Sequence, residues 1–343
     1  MNNFFIYMSP LTGMVGYGGG GTGLTFHGDS GVPWYGDRAI KGGGSKNWDA
    51  DSSRNKRVIE YVSISTGSNT SDFGTLVAPH EHTSATQGNG RALFFGGHLY
   101  DEIDYFAIAT TGNASSFGEQ SFQRRLSTAC SDGLRALNIG GLGDTTHHSN
   151  PGEPKTDTID YVEIDTLGDA TDFGNCVDEL RYSSAVSDGI KGISAGGMRG
   201  TSGQVFGEQI EQVVIQTTGN ASDFGDLTAD RAHQAPGGDA TRAVMMGGRN
   251  TSNQTTADID YFSMQTSGNA SDFGDQQQSV FGGTQSAVGD HSKALVMGGE
   301  DENTPGAAYV NKIQYIVVQT TGNGTDFGNL LMTDRMAGGC AGD

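Results

Sequence analysis

Asp223-Phe224-Gly225 is a triplet whose carboxylate, in protein kinases, holds magnesium for phosphoryl transfer. That chemistry also needs a Gly-rich phosphate loop, a strand lysine and a His-Arg-Asp loop, and the sequence contains none of them. GYGGGGTG at 16–23 lacks the Lys-Ser/Thr pair that contacts phosphate and magnesium. Two histidine groups could ligate a metal: His80-Glu81-His82, with both imidazoles on one side of an extended segment, and His147-His148. Zinc or copper takes three or four convergent ligands, and neither group brings a third. These histidines are therefore expected at the solvent surface, with no metal and no other cofactor. The 40 carboxylates single out no pair for glycoside hydrolysis. Three cysteines make no disulfide framework. No enzymatic activity is expected.

The triplet changes meaning once its neighbours are read. STGSNTSDFG (65–74), TTGNASSFG (110–118), DTLGDATDFG (165–174), TTGNASDFG (217–225), TSGNASDFG (266–274) and TTGNGTDFG (320–328) are six versions of one phrase. Their phenylalanines, Phe73, Phe117, Phe173, Phe224, Phe273 and Phe327, are 44, 56, 51, 49 and 54 residues apart, a mean of roughly 51. Periods of this size mark repeat architectures whose units stack to share a core. The second copy has Ser116 where the others have Asp, a swap that a turn residue tolerates and a metal ligand does not. The Asp is expected to bond backbone N–H groups two residues on, and the Phe to anchor adjacent units. Asn-x-Ser/Thr within the phrase reads as turn chemistry, because glycosylation would need a secretory route. MNNFFIYMSPLTG has no basic n-region and no cleavage site, so no leader is expected.

Each phrase follows two apolar runs. One ends in a glycine pair, as in RALFFGG (91–97), RALNIGG (135–141), KGISAGG (191–197), RAVMMGG (242–248), KALVMGG (293–299) and the weaker RAIKGG (38–43). The other, as in IEYVSIST, is apolar on both faces of a period-two pattern, so both faces must be covered. Gly-Asn before the third strand supplies residues tolerant of positive φ for a tight turn. A fourth strand is expected to carry Arg125, Arg181, Arg231 or Arg335, then small residues, then a Ser-Asp-Gly-like turn. Cys176 takes the place of Leu76, Leu227 and Leu330, and Cys130 and Cys340 share a register with Val186, so all three cysteines read as small buried hydrophobes.

An apolar run ending in Gly-Gly, a Tyr on the next strand, then Thr-x(n)-aromatic-Gly-x-Leu-x(3)-Arg resembles the kelch motif, with Phe in place of the family's usual Trp. The resemblance covers about residues 38–343. It implies an all-β fold: a six-bladed kelch-like β-propeller of four-stranded antiparallel blades over 36–343, preceded by a Gly-rich N-terminal arm over 1–35. The strand near 38–43 and the one near 335–341 are expected to seal the ring, in adjacent blades or a shared one. The copper oxidases of the kelch type use Tyr and His with a Tyr–Cys crosslink, which cysteines at core registers do not supply.

A net charge of −20 repels nucleic acid and anionic membranes, and neither is expected as a partner. No apolar stretch approaches the ~20 residues of a transmembrane helix. The arm's Phe4, Phe5, Ile6 and Tyr7 would be an aggregation hazard unless docked, so they are expected to seat on another subunit. The six segments after Gly-Gly vary from 5 to 17 residues, which makes one face of the disc irregular. They hold Trp48, Tyr100, His147, His148, Phe206 and Tyr309, candidates for stacking on sugars. Small, near-identical repeats, an acidic surface and an aromatic arm resemble kelch-like virion proteins of tailed phages, notably those of marine cyanobacterial hosts. That resemblance implies a tail-fibre, baseplate or capsid-decoration protein of the virion. Other virion proteins would be its partners through the arm, a host glycan its ligand, and a homo-oligomer a further assembly. The alternatives are a cytoplasmic kelch-type interaction module and a secreted propeller glycosidase or oxidase.

Overall fold

The computed structural model describes residues 36–44, 57–98, 100–143, 155–200, 205–284, 286–303 and 308–342. The described residues form strands, turns and bridges, with no helix, arranged as six antiparallel blades of a β-propeller. Blade 1 is composite: Gly338–Gly342 pairs with Arg38–Gly42, which continues through Val58–Ser63 to Ser71–Thr75. The two ends of the ring thus share a blade. Blade 2 runs Ser84–Gly88, Arg91–Gly97, Tyr100–Ala107, Ser115–Glu119 from axis to rim. Blade 3 begins at Thr128–Ser131, blade 4 at Ser184–Ser187 and blade 5 at Ala235–Gly238. In blade 6 the inner edge is shorter, with a bridge from Gly289 to Ala294 beside Lys293–Asp301.

The blades begin one strand earlier than the motif phase suggests. The small-residue segment expected as a fourth strand is the innermost strand of the following blade, and the Ser-Asp-Gly turn is the hairpin inside that blade. Small residues belong there because six inner strands converge on one axis. A Cβ at Gly237 would lie 2.4 Å from that of Ala294 in the next blade. The axis is correspondingly narrow: Ser286 of blade 6 accepts the Ala85 N–H of blade 2 at 2.9 Å, reaching past blade 1. A cavity of about 10 Å³ remains, among Thr86, Gln87, Ser131, Val186 and Ala287. The three cysteines are buried at their core registers, and burial pushes the Cys130 thiol up to about 12.

The repeated phrase is an interblade latch. In every blade the outer strand bulges at the triplet Phe; in blade 1, Ile59 faces Gly74 and Glu60 faces Asp72, leaving Phe73 outside the ladder. Its freed carbonyl accepts the N–H of the turn glycine in the next blade, as Gly112 to Phe73 at 2.9 Å. Two residues after each Phe, a backbone N–H donates to the turn Asn or Asp of that neighbour: Asn113, Asp169, Asn220, Asn269, Asn323 and finally Asn69, all at 3.0–3.1 Å. These Asn residues act through their side chains and do not adopt positive φ. The triplet glycine is required by close approach, since a Cβ at Gly118 would sit 2.1 Å from the Gly168 oxygen. The Phe ring packs across the same seam, Phe73 against Phe106 with centroids 4.9 Å apart. The triplet Asp is exposed; Asp272 bonds the N–H two residues on at 3.2 Å, the one case of the expected cap among the described residues.

A second clasp spans each seam. The cation opening each Gly-Gly strand donates to a backbone oxygen of the next blade: Arg38 to Ile108, Arg91 to Ile164, Arg135 to Ile215, Lys191 to Met264, Arg242 to Val318 and Lys293 to Ile64. Five of the six also lie over a Tyr ring of their own blade, with distances of 4.3–5.6 Å. The sixth clasp returns to Ile64, so blade 6 meets blade 1 by the same cation clasp and the same Asn latch as the other pairs.

Candidate functional site at the axis of the irregular face

Strand directions put the Ser-Asp-Gly hairpins and the Gly-Asn turns on one face of the disc. The segments after Gly-Gly and the crossovers between blades lie on the other. Each crossover can be numbered from its triplet Phe, and three successive positions do different things.

Seven residues after the Phe stand His80, Arg124, Leu180, Arg231, Val280 and Asp334, pointing into the ring. They meet a buried acid on the third strand of the next blade. Arg124 reaches Asp160 at 2.9 Å, Arg231 reaches Asp260 at 2.5 Å, and His80 Nε2 lies 3.1 Å from Asp104. Each acid also accepts a crossover amide, as Val77 to Asp104 at 2.8 Å and Thr228 to Asp260 at 3.0 Å. The exceptions keep the charge balanced. Where Leu180 supplies no cation, Arg199 approaches Glu211 at 3.6 Å; where Val280 does the same, the acid is replaced by Gln314, which bonds both the N–H and the carbonyl of Gln278. Where Asp334 reverses the sign, Lys41 answers it at 2.7 Å. A buried charge without a partner is costly; in blade 1, where Lys41 takes Asp334, the buried Glu60 is held instead by the Thr70 hydroxyl and the Leu331 N–H.

Nine residues after the Phe stand His82, Leu126, Tyr182, His233, Gly282 and Met336, all with φ between 54° and 62°. Each donates its N–H to the carbonyl of the equivalent residue in the preceding blade: His82 to Met336, Leu126 to His82, Tyr182 to Leu126, His233 to Tyr182, Gly282 to His233 and Met336 to Gly282. Six backbone hydrogen bonds thus close a ring around the axis. Left-handed φ costs a non-glycine residue about 1 kcal/mol, and here it recurs five times with different side chains. The side chains pack over the ring with Leu142, Met198, Phe206 and Phe281; Tyr182 and His233 lie with centroids 3.6 Å apart.

Eight residues after the Phe stand Glu81, Arg125, Arg181, Ala232, Phe281 and Arg335. Arg125, Arg181 and Arg335 therefore belong to a different register from Arg231, with which the sequence motif grouped them. With Arg249, which lies 4.1 Å over Phe281, they surround the axial ring. Arg335 pairs with Glu300 and lies 4.8 Å over Tyr309, and Arg249 pairs with Glu302. This is a concentration of cations on a chain of net charge −20. Its field is legible in the histidines. Burial, then Arg125, Arg335 and His98 hold His82 well below the ordinary imidazole value. Burial, then Arg249, His82, Arg335 and Arg181 do the same to His233. Burial raises the Glu300 carboxyl, opposed by Arg335.

Of the sequence candidates, Phe206 is buried in the axial cluster, Tyr309 lies beneath Arg335, and Tyr100 is half-buried with its ring edge-on to His80 at 5.6 Å. Trp48, His147, His148 and the arm residues Phe4, Phe5, Ile6 and Tyr7 lie outside the described residues. His80 and His82 are buried, contrary to the expected solvent exposure, because the crossover runs inward to the axis before it enters the next inner strand. The sequence candidates omit Arg249, His98 and His233, and no role on the axis was foreseen for Arg125, Arg181 or Arg335. The signal was present in the repeats: the position nine after each Phe keeps its backbone role while its side chain changes six times. Among the described residues no group of three His, Cys, Asp or Glu could hold a metal ion. No protein-family model matches the chain, and no curated protein is significantly similar to it.

Proposed function

We propose that this propeller is a non-enzymatic structural and adhesive component of a phage particle, a tail fibre, baseplate or decoration protein, with its irregular face turned outward. The division of labour between the two faces supports this reading. The chain reaches the ring on the uniform face, where Asp37 receives the Ser65 N–H at 2.7 Å and Arg38 pairs with both Ser63 and Gly342. That face also carries Leu134, Leu167 and Ile190, all exposed, in blades 3 and 4. The corresponding hairpin positions of blades 5 and 6 are Thr241 and Ser292, so the apolar residues are local departures from the repeat. The entry of the chain on this face and its exposed apolar residues support reading the uniform face as the one that meets other particle proteins. The variable segments and the cations around the axis then face a host-surface ligand. The kelch-like likeness of the repeats points the same way.

Mass spectrometry and cryo-EM of purified particles from the encoding phage test the proposal. The protein is expected in the particle, uniform face inward. Deleting residues 1–35 should leave the ring folded and abolish incorporation. A full-length protein absent from particles and recovered as a soluble monomer from the host cytoplasm overturns the reading.

A further inference from the structure

The axial mouth contains a cation whose charge the protein does not answer. Arg124 and Arg231 sit on buried carboxylates, Arg335 takes Glu300, Arg249 takes Glu302, and Arg199 approaches Glu211. Arg125 is half-buried and has neither a hydrogen bond nor an ion pair from its guanidinium among the described residues. Its backbone is fixed on both sides: Arg125 pairs with Leu142 in a short ladder, and Leu126 donates to His82 at 3.1 Å. His98 is anchored beside the same spot, since its N–H donates to the Glu81 carbonyl at 2.9 Å, one residue before His82. The His98 side chain is likewise half-buried with no partner among the described residues. Backbone hydrogen bonds therefore anchor Arg125 and His98 beside His82, and the Arg125 charge is close enough to help hold both imidazoles below their ordinary value.

Partly desolvating a guanidinium without a carboxylate costs free energy, and on a chain with 40 acidic residues and 20 basic ones a counter-ion from the protein is easily supplied. Arg335 with Glu300 and Arg249 with Glu302 show that the fold supplies one where the cation is structural. Among the described residues Glu300 faces Arg335 and Glu302 faces Arg249, while Glu81 lies 3.7 Å from the His82 imidazole. Among the described residues nothing accepts from the Arg125 guanidinium, which leaves it able to donate to an external anion. A planar guanidinium half-shielded from water favours a carboxylate or sulfate, which it can bind in bidentate fashion. Tyr100, two residues after His98, adds a half-buried ring that lies edge-on to His80 in the preceding crossover and can stack against a sugar face.

We propose that the mouth around Arg125 and His98 is a binding site for the carboxylate or sulfate group of an acidic sugar. Arg125 is the principal donor, His98 the second donor, and Tyr100 a flanking aromatic surface. The site deepens the reading of the irregular face as the outward one and rests on it. Bringing an acidic sugar to an acidic protein needs a local positive charge; Arg249 and Arg335 are paired with Glu302 and Glu300, so Arg125 supplies it.

Isothermal titration of the full chain tests this with four probes: a uronic-acid disaccharide, a sulfated disaccharide, their neutral parents and inorganic sulfate. At least one acidic disaccharide is expected to bind, with its neutral parent weaker by about tenfold or more. Arg125→Ala should remove that difference while the thermal midpoint stays close to wild type, and Arg125→Lys should restore part of it. Equal binding of acidic and neutral sugars, or an acidic preference that survives Arg125→Ala, overturns the proposal. Inorganic sulfate bound as tightly as the sulfated sugar also overturns it, because the sugar then contributes nothing. The titration needs no particle, so a failure here leaves the result of the incorporation experiment standing.

Discussion

The rim and the axial mouth are both built six times, and they use repetition in opposite ways. At the rim, backbone and side chain repeat together. The bond from the strand to the turn Asn or Asp is made at every seam, and at the last seam, where Ser68 replaces the turn glycine, Asn329 still bonds Asn69 at 3.0 Å. At the mouth only the backbone repeats. Six residues share one left-handed conformation and one hydrogen-bonded ring, yet their side chains are two His, one Leu, one Tyr, one Gly and one Met. Invariance across the copies therefore marks what holds the ring together. A fixed backbone under changing side chains marks where something other than stability is at stake.

The sharpest place to break this comparison is a pair of neighbours in sequence. Arg124 is buried on Asp160 and also donates to the Thr158 and Asn138 carbonyls, both at 3.1 Å; Arg125 faces the mouth. Arg124→Ala leaves Asp160 charged and buried, and should cost about 3–5 kcal/mol in chemical denaturation. Arg125→Ala should cost less than about 0.5 kcal/mol. Equal losses at the two positions would remove the distinction between the structural register and the axial one.

Next in size is the pH response of the mouth. His82 and His233 are held below the ordinary value of 6.5 by burial and by the surrounding arginines, so the folded state binds fewer protons than the unfolded chain. Stability is then full above about pH 6.5 and falls as pH drops below it, by about 1.4 kcal/mol per pH unit for each group. Burial and Arg125 lower His98 as well, so His233→Leu should cut the slope by about a third. The fold tolerates the residue, because Leu126 occupies the equivalent place at φ 62°. Denaturation midpoints between pH 7 and 5 measure this. An unchanged slope in His233→Leu would falsify the assignment to the axial imidazoles.

The sequence carried the architecture because the rim repeats in side chains as well as in backbone. Six Phe-Gly pairs at a near-constant period leave few alternatives to a closed ring of blades, and the match between 38–43 and 335–341 located its seal. The phase was harder to read. TACS at 128–131 follows the phrase of one blade but hydrogen-bonds into the next, and nothing local distinguishes the end of one sheet from the start of another. Arg231 was grouped with Arg125 because they differ by a single position in the crossover. One residue along an irregular segment reverses inward and axial, and a motif written with variable gaps does not register it. The acids Glu60, Asp104, Asp160, Glu211 and Asp260 were not singled out, because the alternation was read from the apolar residues alone. They are interior because the neighbouring blade covers that face and brings an amide or a cation to it.

The smallest effect belongs to the residue with the most suggestive chemistry. Asp223 is exposed and takes no part in the latch, whereas Phe224 is buried against Phe262 with centroids 5.9 Å apart and Gly225 lies where a Cβ would approach the Gly268 oxygen to 2.3 Å. Asp223→Ala should change stability by less than about 0.5 kcal/mol. Gly225→Ala, two positions on, should cost about 1–3 kcal/mol by forcing the seam open. Ser116, which stands in for the Asp in blade 2, is a natural version of the neutral substitution: the carbonyl of Phe117 beside it accepts its interblade bond from Gly168 at 3.0 Å, as the other seams with a turn glycine do. If Asp223→Ala proved as damaging as Gly225→Ala, the carboxylate would have a role at the rim that the geometry does not assign. The expected ranking instead places the whole burden of the triplet on the ring that packs and the glycine that permits approach.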